Sequence, residues 1–138
     1  MKKFIAILLA CLMIIPAACA VTVDDVSEYA AVLGGSELKN GDARDPYIRF
    51  IQDGCTITMK LEGKEIIFVV IEGSGEKFLS YSAAVLATFD HDGMTQSFGQ
   101  LLAYYLMQSN EKHTGATPAG YVFTVEKKDE GYSFMISK

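Results

Sequence analysis

Residues 47–72 contain three strand-like segments separated by two turn dipeptides, and this pattern constrains the fold more than any other feature. The first segment, YIRFIQ, precedes Asp53-Gly54, a dipeptide that tolerates the positive φ angles of a tight hairpin turn. The second segment, CTITMKL, alternates apolar and polar residues, which is typical of a half-buried strand. After Glu62-Gly63 the third segment, KEIIFVVIE, is apolar without alternation. We therefore predict an antiparallel meander whose third strand is central and covered on both faces.

The two turns also predict the register of the meander. Two-residue loops at Asp53-Gly54 and Glu62-Gly63 pair Ile57 with Phe50 on one side and with Phe68 on the other. The side chains expected to face the helices are Ile48, Phe50, Cys55, Ile57, Met59, Ile66, Phe68 and Val70. Cys55 is therefore expected to be buried and inert.

The opposite face of this meander is an apolar patch with Thr, Tyr and Arg at its border. It would include Tyr47, Arg49, Ile51, Thr56, Thr58, Ile67, Val69 and Ile71. Monomers rarely expose so large an apolar patch without using it. The predicted binding residues are Tyr47, Arg49, Ile51, Ile67, Val69 and Ile71, with either an unknown protein or a second copy of the chain as partner. The alternative is that the loop 36–46 or the helix at Asp24 covers this face.

Periodicities outside the meander complete an α+β domain. The first helix is expected to be capped by Thr22 and to bury Val26, Tyr29, Ala30 and Leu33. Two later helices carry the stripes Phe78, Tyr81, Val85, Phe89 and Phe98, Leu101, Leu102, Tyr105, Leu106. The segments YVFTVEK and YSFMIS predict a final hairpin. The order α-β-β-β-α-α-β-β predicts one α+β domain over residues 21–138, with an antiparallel sheet of about five strands and helices packed on one face.

The first twenty residues, MKKFIAILLACLMIIPAACA, have the features of a secretory signal peptide: two lysines, an apolar run and small residues before Val21. We predict that residues 1–20 are removed and that the protein is secreted or attached to the cell envelope. Lipid attachment at Cys19 is the alternative, because bacterial lipoproteins are cut before a cysteine that follows small residues. It would be the only contact with a membrane, since the apolar run is shorter than the ~20 residues that span a bilayer.

Charge and cysteine content exclude several classes of function. Removing residues 1–20 takes away Lys2 and Lys3 and no acidic residue, which changes the formal net charge from −5 to −7. Nucleic acid is therefore not an expected partner. Cys55 is the only cysteine of residues 21–138, so neither a disulfide framework nor a thiolate metal site is expected. We expect no cofactor.

The motif Asp90-His91-Asp92-Gly93 is the densest cluster of reactive side chains in the sequence. An EF-hand calcium loop starting at Asp90 would need glycine at its sixth position, where this chain has Thr95. The motif lies between two helical stripes, which favours a turn with Asp92 or Thr95 capping the second helix. The only other histidine is His113.

Two functional hypotheses follow. The first is an exported, non-enzymatic module that acts through protein–protein contact. The second is a small secreted hydrolase or metal-dependent enzyme that uses Asp90, His91, Asp92 and His113, whose side chains would have to converge in space.

Overall fold

The computed structural model describes residues 20–138 and shows an α+β fold with an antiparallel sheet. Its helices are α1 (Val23–Val32), α2 (Gly75–Phe89) and α3 (Met94–Met107). Its strands are β1 (Asp42–Arg44), β2 (Tyr47–Gln52), β3 (Cys55–Glu62), β4 (Glu65–Gly73), β5 (His113–Ala116), β6 (Val122–Lys128) and β7 (Gly131–Ser137). The predicted signal peptide, apart from Ala20, and the candidate anchor Cys19 lie outside the described residues.

The described strands form one sheet in the order β1-β2-β3-β4-β7-β6-β5. The prediction of about five strands was too low, because two segments read as loops each contain a short edge strand. Strand β1 lies within the loop 36–46, and β5 lies within the segment NEKHTGATPAG. Neither strand has an apolar alternation that would mark it in the sequence. Edge strands as short as these limit further pairing with other chains.

Helix α1 begins at the predicted cap. The Asp25 N–H donates to Thr22 Oγ1 (3.3 Å), and the Thr22 N–H donates to Asp25 Oδ2 (3.0 Å), so the two residues form a capping box. The Ile66 N–H also donates to the Val21 carbonyl (2.7 Å), which ties the start of α1 to β4. The predicted apolar stripe of α1, from Val26 to Leu33, is buried.

Helices α2 and α3 pack against the same core as α1. Helix α2 is buried on almost every side, because it lies between the sheet and the other two helices. The predicted stripe of α3 is correct at Phe98 and Leu101 and wrong at Leu106, which is 69% exposed. Tyr104 and Tyr105 contact the core at that turn, and Leu106 lies about 100° further round the helix. No helix within residues 20–138 is long and apolar enough to cross a bilayer.

The first hairpin of the meander has the predicted register. Asp53 and Gly54 form a two-residue turn with positive φ angles, and Phe50 pairs with Ile57. The inward residues of β2 and β3 alternate with outward ones as predicted, and Cys55 is buried.

The second hairpin differs from the prediction by a β-bulge. Glu62 pairs with Glu65, so the turn residues are Gly63 and Lys64. Leu61 then pairs with Ile66, but Lys60 pairs with Phe68, which leaves Ile67 as an extra residue in β4. A bulge of this kind lets two residues of one strand oppose one residue of the other.

The bulge exchanges the faces of the residues that follow it. Val69 and Ile71 are fully buried on the helix side of the sheet, so their predicted placement on the opposite face is wrong. Phe68 and Val70 are only partly buried and point away from the helices, so their predicted placement in the core is also wrong. Strand β4 is central as predicted, but helices cover only one of its faces.

Candidate binding surface on the sheet

All helices of the described residues lie on one side of the sheet, and we call the other side the helix-free face. The inward side chains of the sheet form a single core cluster with residues of α1, α2 and α3. The loop 36–46 extends the sheet at its edge as β1, and before that strand it packs on the helix side, where a Cβ atom at Gly41 would come within 2.7 Å of the Phe50 ring. Of the two alternative covers considered from sequence, α1 packs on the core side, and the loop lies on the core side and at the sheet edge.

The centre of the helix-free face is apolar and its border is polar. Phe68 and Val70 of β4 lie beside Ser137 and Met135 of β7, and Val70 also faces Thr58 of β3. Other outward side chains are Asp42, Arg44, Tyr47, Arg49, Ile51, Thr56, Lys60, Glu72, Val122, Thr124, Glu126 and Ser133. The face is thus an apolar centre surrounded by hydroxyl groups and a few charges.

The structure brings some of the predicted binding residues together and separates others. Tyr47 and Ile51 lie on the helix-free face and are 44% and 70% exposed, with the exposed Arg49 between them. Ile67 is half-buried at the bulge, whereas Val69 and Ile71 belong to the core.

Sequence reasoning placed Phe68 and Val70 in the core and did not name Met135 as part of this surface. Because β4 is apolar on both sides, no alternation reveals which residues face outward. That the helix-free face binds a partner stays a prediction.

Several charges of the helix-free face have no ion-pair partner within residues 20–138. The ion pairs in this part of the chain are Arg44–Asp42 and Lys128–Glu126, both at 3.1 Å, and Lys138–Glu65. The hydrogen bond to Glu65 raises the pKa of Lys138. Arg49, Lys60 and Glu72 take part in none of these ion pairs. Their charges are available to a molecule that docks on this face.

The motif Asp90-His91-Asp92-Gly93 forms the turn between α2 and α3. Asp90 is 8% exposed, and its carboxylate accepts the Gly93 N–H (3.0 Å) and the Ala119 N–H (2.8 Å). Asp90 therefore closes the turn and ties it to the loop between β5 and β6. The predicted caps Asp92 and Thr95 are wrong, because Gly93 is the N-cap residue and no side chain caps α3.

The two histidines pack on different aromatic partners. His91 Nδ1 lies 2.9 Å from the Tyr29 hydroxyl of α1, and the His113 ring stacks on Tyr104 of α3 with centroids 5.7 Å apart. In the part of the chain that the structure describes, no group of three or more His, Cys, Asp or Glu residues could hold a metal ion. The shallow depression beside Asp90 is lined by Asp92, Gly93, Thr95, Gln96, Pro118 and Ala119. Asp90 and His91 thus contact neighbouring elements of the fold, and His113 packs on α3 with its Nε2 atom buried and without a hydrogen-bond partner within residues 20–138.

A second polar cluster, which the sequence did not indicate, anchors the first hairpin. The Tyr81 hydroxyl of α2 donates to Asp53 and accepts from Gln52 Nε2 (2.7 Å) and the Ser36 N–H (3.3 Å). The hydrogen bond from Tyr81 lowers the pKa of Asp53, while burial and the nearby Asp53 raise the pKa of Tyr81. A tyrosine with a raised pKa is a poor general base, so this cluster fits a structural role.

Comparisons with protein-family models, with curated proteins and with solved structures give no match.

Proposed function

We propose that this protein is an exported, non-enzymatic binding module that recognises a protein through its helix-free face. The observation that carries this proposal is the outward direction of Phe68, Val70 and Met135 at the centre of a sheet that no helix of residues 20–138 covers on that side. An antiparallel sheet with one face in water normally carries polar residues on that face. Outward apolar residues at adjacent central positions instead mark a surface that another molecule covers.

The border of the helix-free face also suits recognition of a protein. Thr58 and Thr124 flank the apolar centre, and Tyr47 and Arg49 lie at one side. Tyrosine and arginine are enriched at protein interfaces, because each combines a large contact area with a polar group. An apolar core with a polar rim is the common anatomy of such interfaces.

Export is proposed from residues 1–20 and is compatible with the thiol of the domain. Cys55 is buried, and burial raises its pKa. The thiolate is the reactive form of cysteine, so a buried thiol with a raised pKa resists oxidation and disulfide exchange. The domain can therefore work in an oxidising compartment without a disulfide partner.

Site-specific photo-crosslinking in cells that naturally produce the protein tests this proposal. A benzophenone side chain at Thr58 lies on the helix-free face, and the same side chain at the exposed Thr95 of α3 provides a matched control on the other side. We expect protein adducts from position 58 and few or none from position 95. Equal adduct yields at the two positions, or none at position 58, would contradict the proposal.

A further inference from the structure

The outward residues of the helix-free face form rows that cross the strands. One row, the central row, contains Arg49, Thr58, Val70, Met135 and Thr124 in register on β2, β3, β4, β7 and β6. The row on one side of it contains Lys60, and the row on the other side contains Glu72. These two charges therefore lie on adjacent strands at opposite sides of the central row.

Lys60 and Glu72 are too far apart to pair within one molecule. They lie two row spacings apart, or about 13 Å along the strands. Neither residue makes an ion pair within residues 20–138. Each charge is thus left without a partner at the edge of an apolar centre.

A two-fold axis along the central row would give Lys60 and Glu72 a partner. Arg49 would then lie opposite its own copy near one edge of the interface, one strand away from Asp42 of both molecules. Rotation about this axis places the Lys60 row of one molecule over the Glu72 row of the other. The two residues are offset by one strand, about 4.8 Å, and packed sheets are about 10 Å apart. Lysine and glutamate side chains that extend toward each other span that gap, so one two-fold interface contains two Lys60–Glu72 pairs.

The size of the helix-free face is sufficient for a dimer. Seven strands spaced about 4.8 Å apart and three outward rows give roughly 600 Å² per molecule, or roughly 1,200 Å² in total. A specific interface needs about 1,000 Å² in total.

We infer that the occupant of the helix-free face is a second copy of this chain, which forms a two-fold, sheet-on-sheet dimer held in register by two Lys60–Glu72 pairs. This inference rests on the proposed function and names its partner. The contact is isologous, because each molecule contributes the same surface.

Charge reversal tests the pairing by sedimentation equilibrium of the purified protein at about 100 µM. The wild type is expected to be a dimer. Lys60→Glu and Glu72→Lys should each weaken self-association about 100-fold or more, because each places like charges opposite one another twice. Both side chains are at least partly exposed, so the folds should persist in circular dichroism spectra. Lys64→Glu, which makes the same charge change in an exposed turn, should remain a dimer.

Mixing the two variants gives the decisive result. An equimolar mixture of Lys60→Glu and Glu72→Lys restores both opposite-charge pairs and should form a heterodimer, and the double variant should again form a homodimer. A monomeric wild type would overturn the inference, and so would single variants that dimerise as tightly as the wild type. If the wild type is monomeric while position 58 crosslinks to other proteins, the dimer is excluded and the proposed function stands.

Discussion

The two hairpins that share β3 differ in how closely their sequences determine their structures. In the first, β2 and β3 both alternate, and the turn residues Asp53 and Gly54 set the register that the structure has. In the second, β3 alternates but β4 is apolar without a break from Ile66 to Ile71, and the extra residue Ile67 shifts the pairing within the strand. A strand with apolar residues on both sides tolerates such a shift, because either face of it can enter a core.

The difference decides what the protein presents to solvent. With an unbulged β4 in the predicted register, Val69 would lie on the helix-free face and Val70 in the core. The bulge reverses these positions, so Val69 packs under the helices and Val70 lies at the centre of the helix-free face. The identity of the proposed binding surface therefore depends on one extra residue.

Glutamate at Val69 or Val70 should produce the largest contrast. Val69→Glu places a charge in the core and should lower the free energy of unfolding by more than about 4 kcal/mol, or prevent folding. Val70→Glu should change it by no more than about 1 kcal/mol in the monomer. Urea denaturation of the two variants measures both effects, and equal losses of stability would contradict the bulge.

Single-residue deletions compare the two hairpins directly. Deleting Ile67 should lower the free energy of unfolding by only about 1–2 kcal/mol. Ile66 and Phe68 then follow one another on alternate faces of a regular strand. Deleting Arg49 should cost more than about 3 kcal/mol, since part of β2 must then turn its side chains to the wrong face. Denaturation midpoints provide the measurement, and a deletion of Ile67 as damaging as that of Arg49 would show that the bulge is required.

The turn between α2 and α3 is held by the Asp90 carboxylate, as the turn of the first hairpin is held by Asp53. Asp90→Ala should lower the free energy of unfolding by about 2–3 kcal/mol, because two backbone N–H groups lose a charged acceptor. Asp92→Asn, at an exposed neighbour, should change stability by about 0.5 kcal/mol or less. Thermal unfolding distinguishes these values; a neutral Asp90→Ala would remove the structural explanation and return the residue to the enzymatic hypothesis.

The smallest expected effect comes from Tyr81→Phe, which removes the anchor of the first hairpin turn. The pKa of Asp53 is lowered by Tyr81, so this stabilisation is present above the ordinary value of 3.8 and is lost as the pH falls further. The pKa of Tyr81 is raised, so stability is also lost as the pH rises beyond 10.0. The free energies of unfolding of the wild type and the variant should therefore differ most between pH 3.8 and pH 10.0. A difference that stays constant from pH 2 to 11 would contradict the anchoring.

Most of the fold could be predicted, because the spacing of apolar residues and the turn residues determine where most helices and strands lie. The cap at Thr22, the core stripes of α1 and α2 and the final hairpin all follow from local sequence. The short strands β1 and β5 could not be predicted, because backbone pairing with β2 and β6 creates them without any apolar pattern. The contact between Tyr81 and Asp53 joins residues 28 positions apart and leaves no local signal.

The candidate surface could be predicted only in part. Tyr47, Arg49 and Ile51 alternate with buried residues of β2, which indicates their direction. Phe68 and Val70 lie in an unbroken apolar run, so their direction depends on the bulge and on the register with β7. Met135 faces the same way, but only the adjacency of β4 and β7 brings it beside Val70.

The reactivity of a cysteine at position 70, measured as a function of protein concentration, tests the central claim most directly. Val70→Cys should react rapidly with a thiol reagent in dilute solution and more slowly as the concentration rises and the helix-free faces come together. Val69→Cys should react slowly at every concentration, because position 69, like Cys55, is buried. A reactive position 69, or a rate at position 70 that does not depend on concentration, would contradict the account.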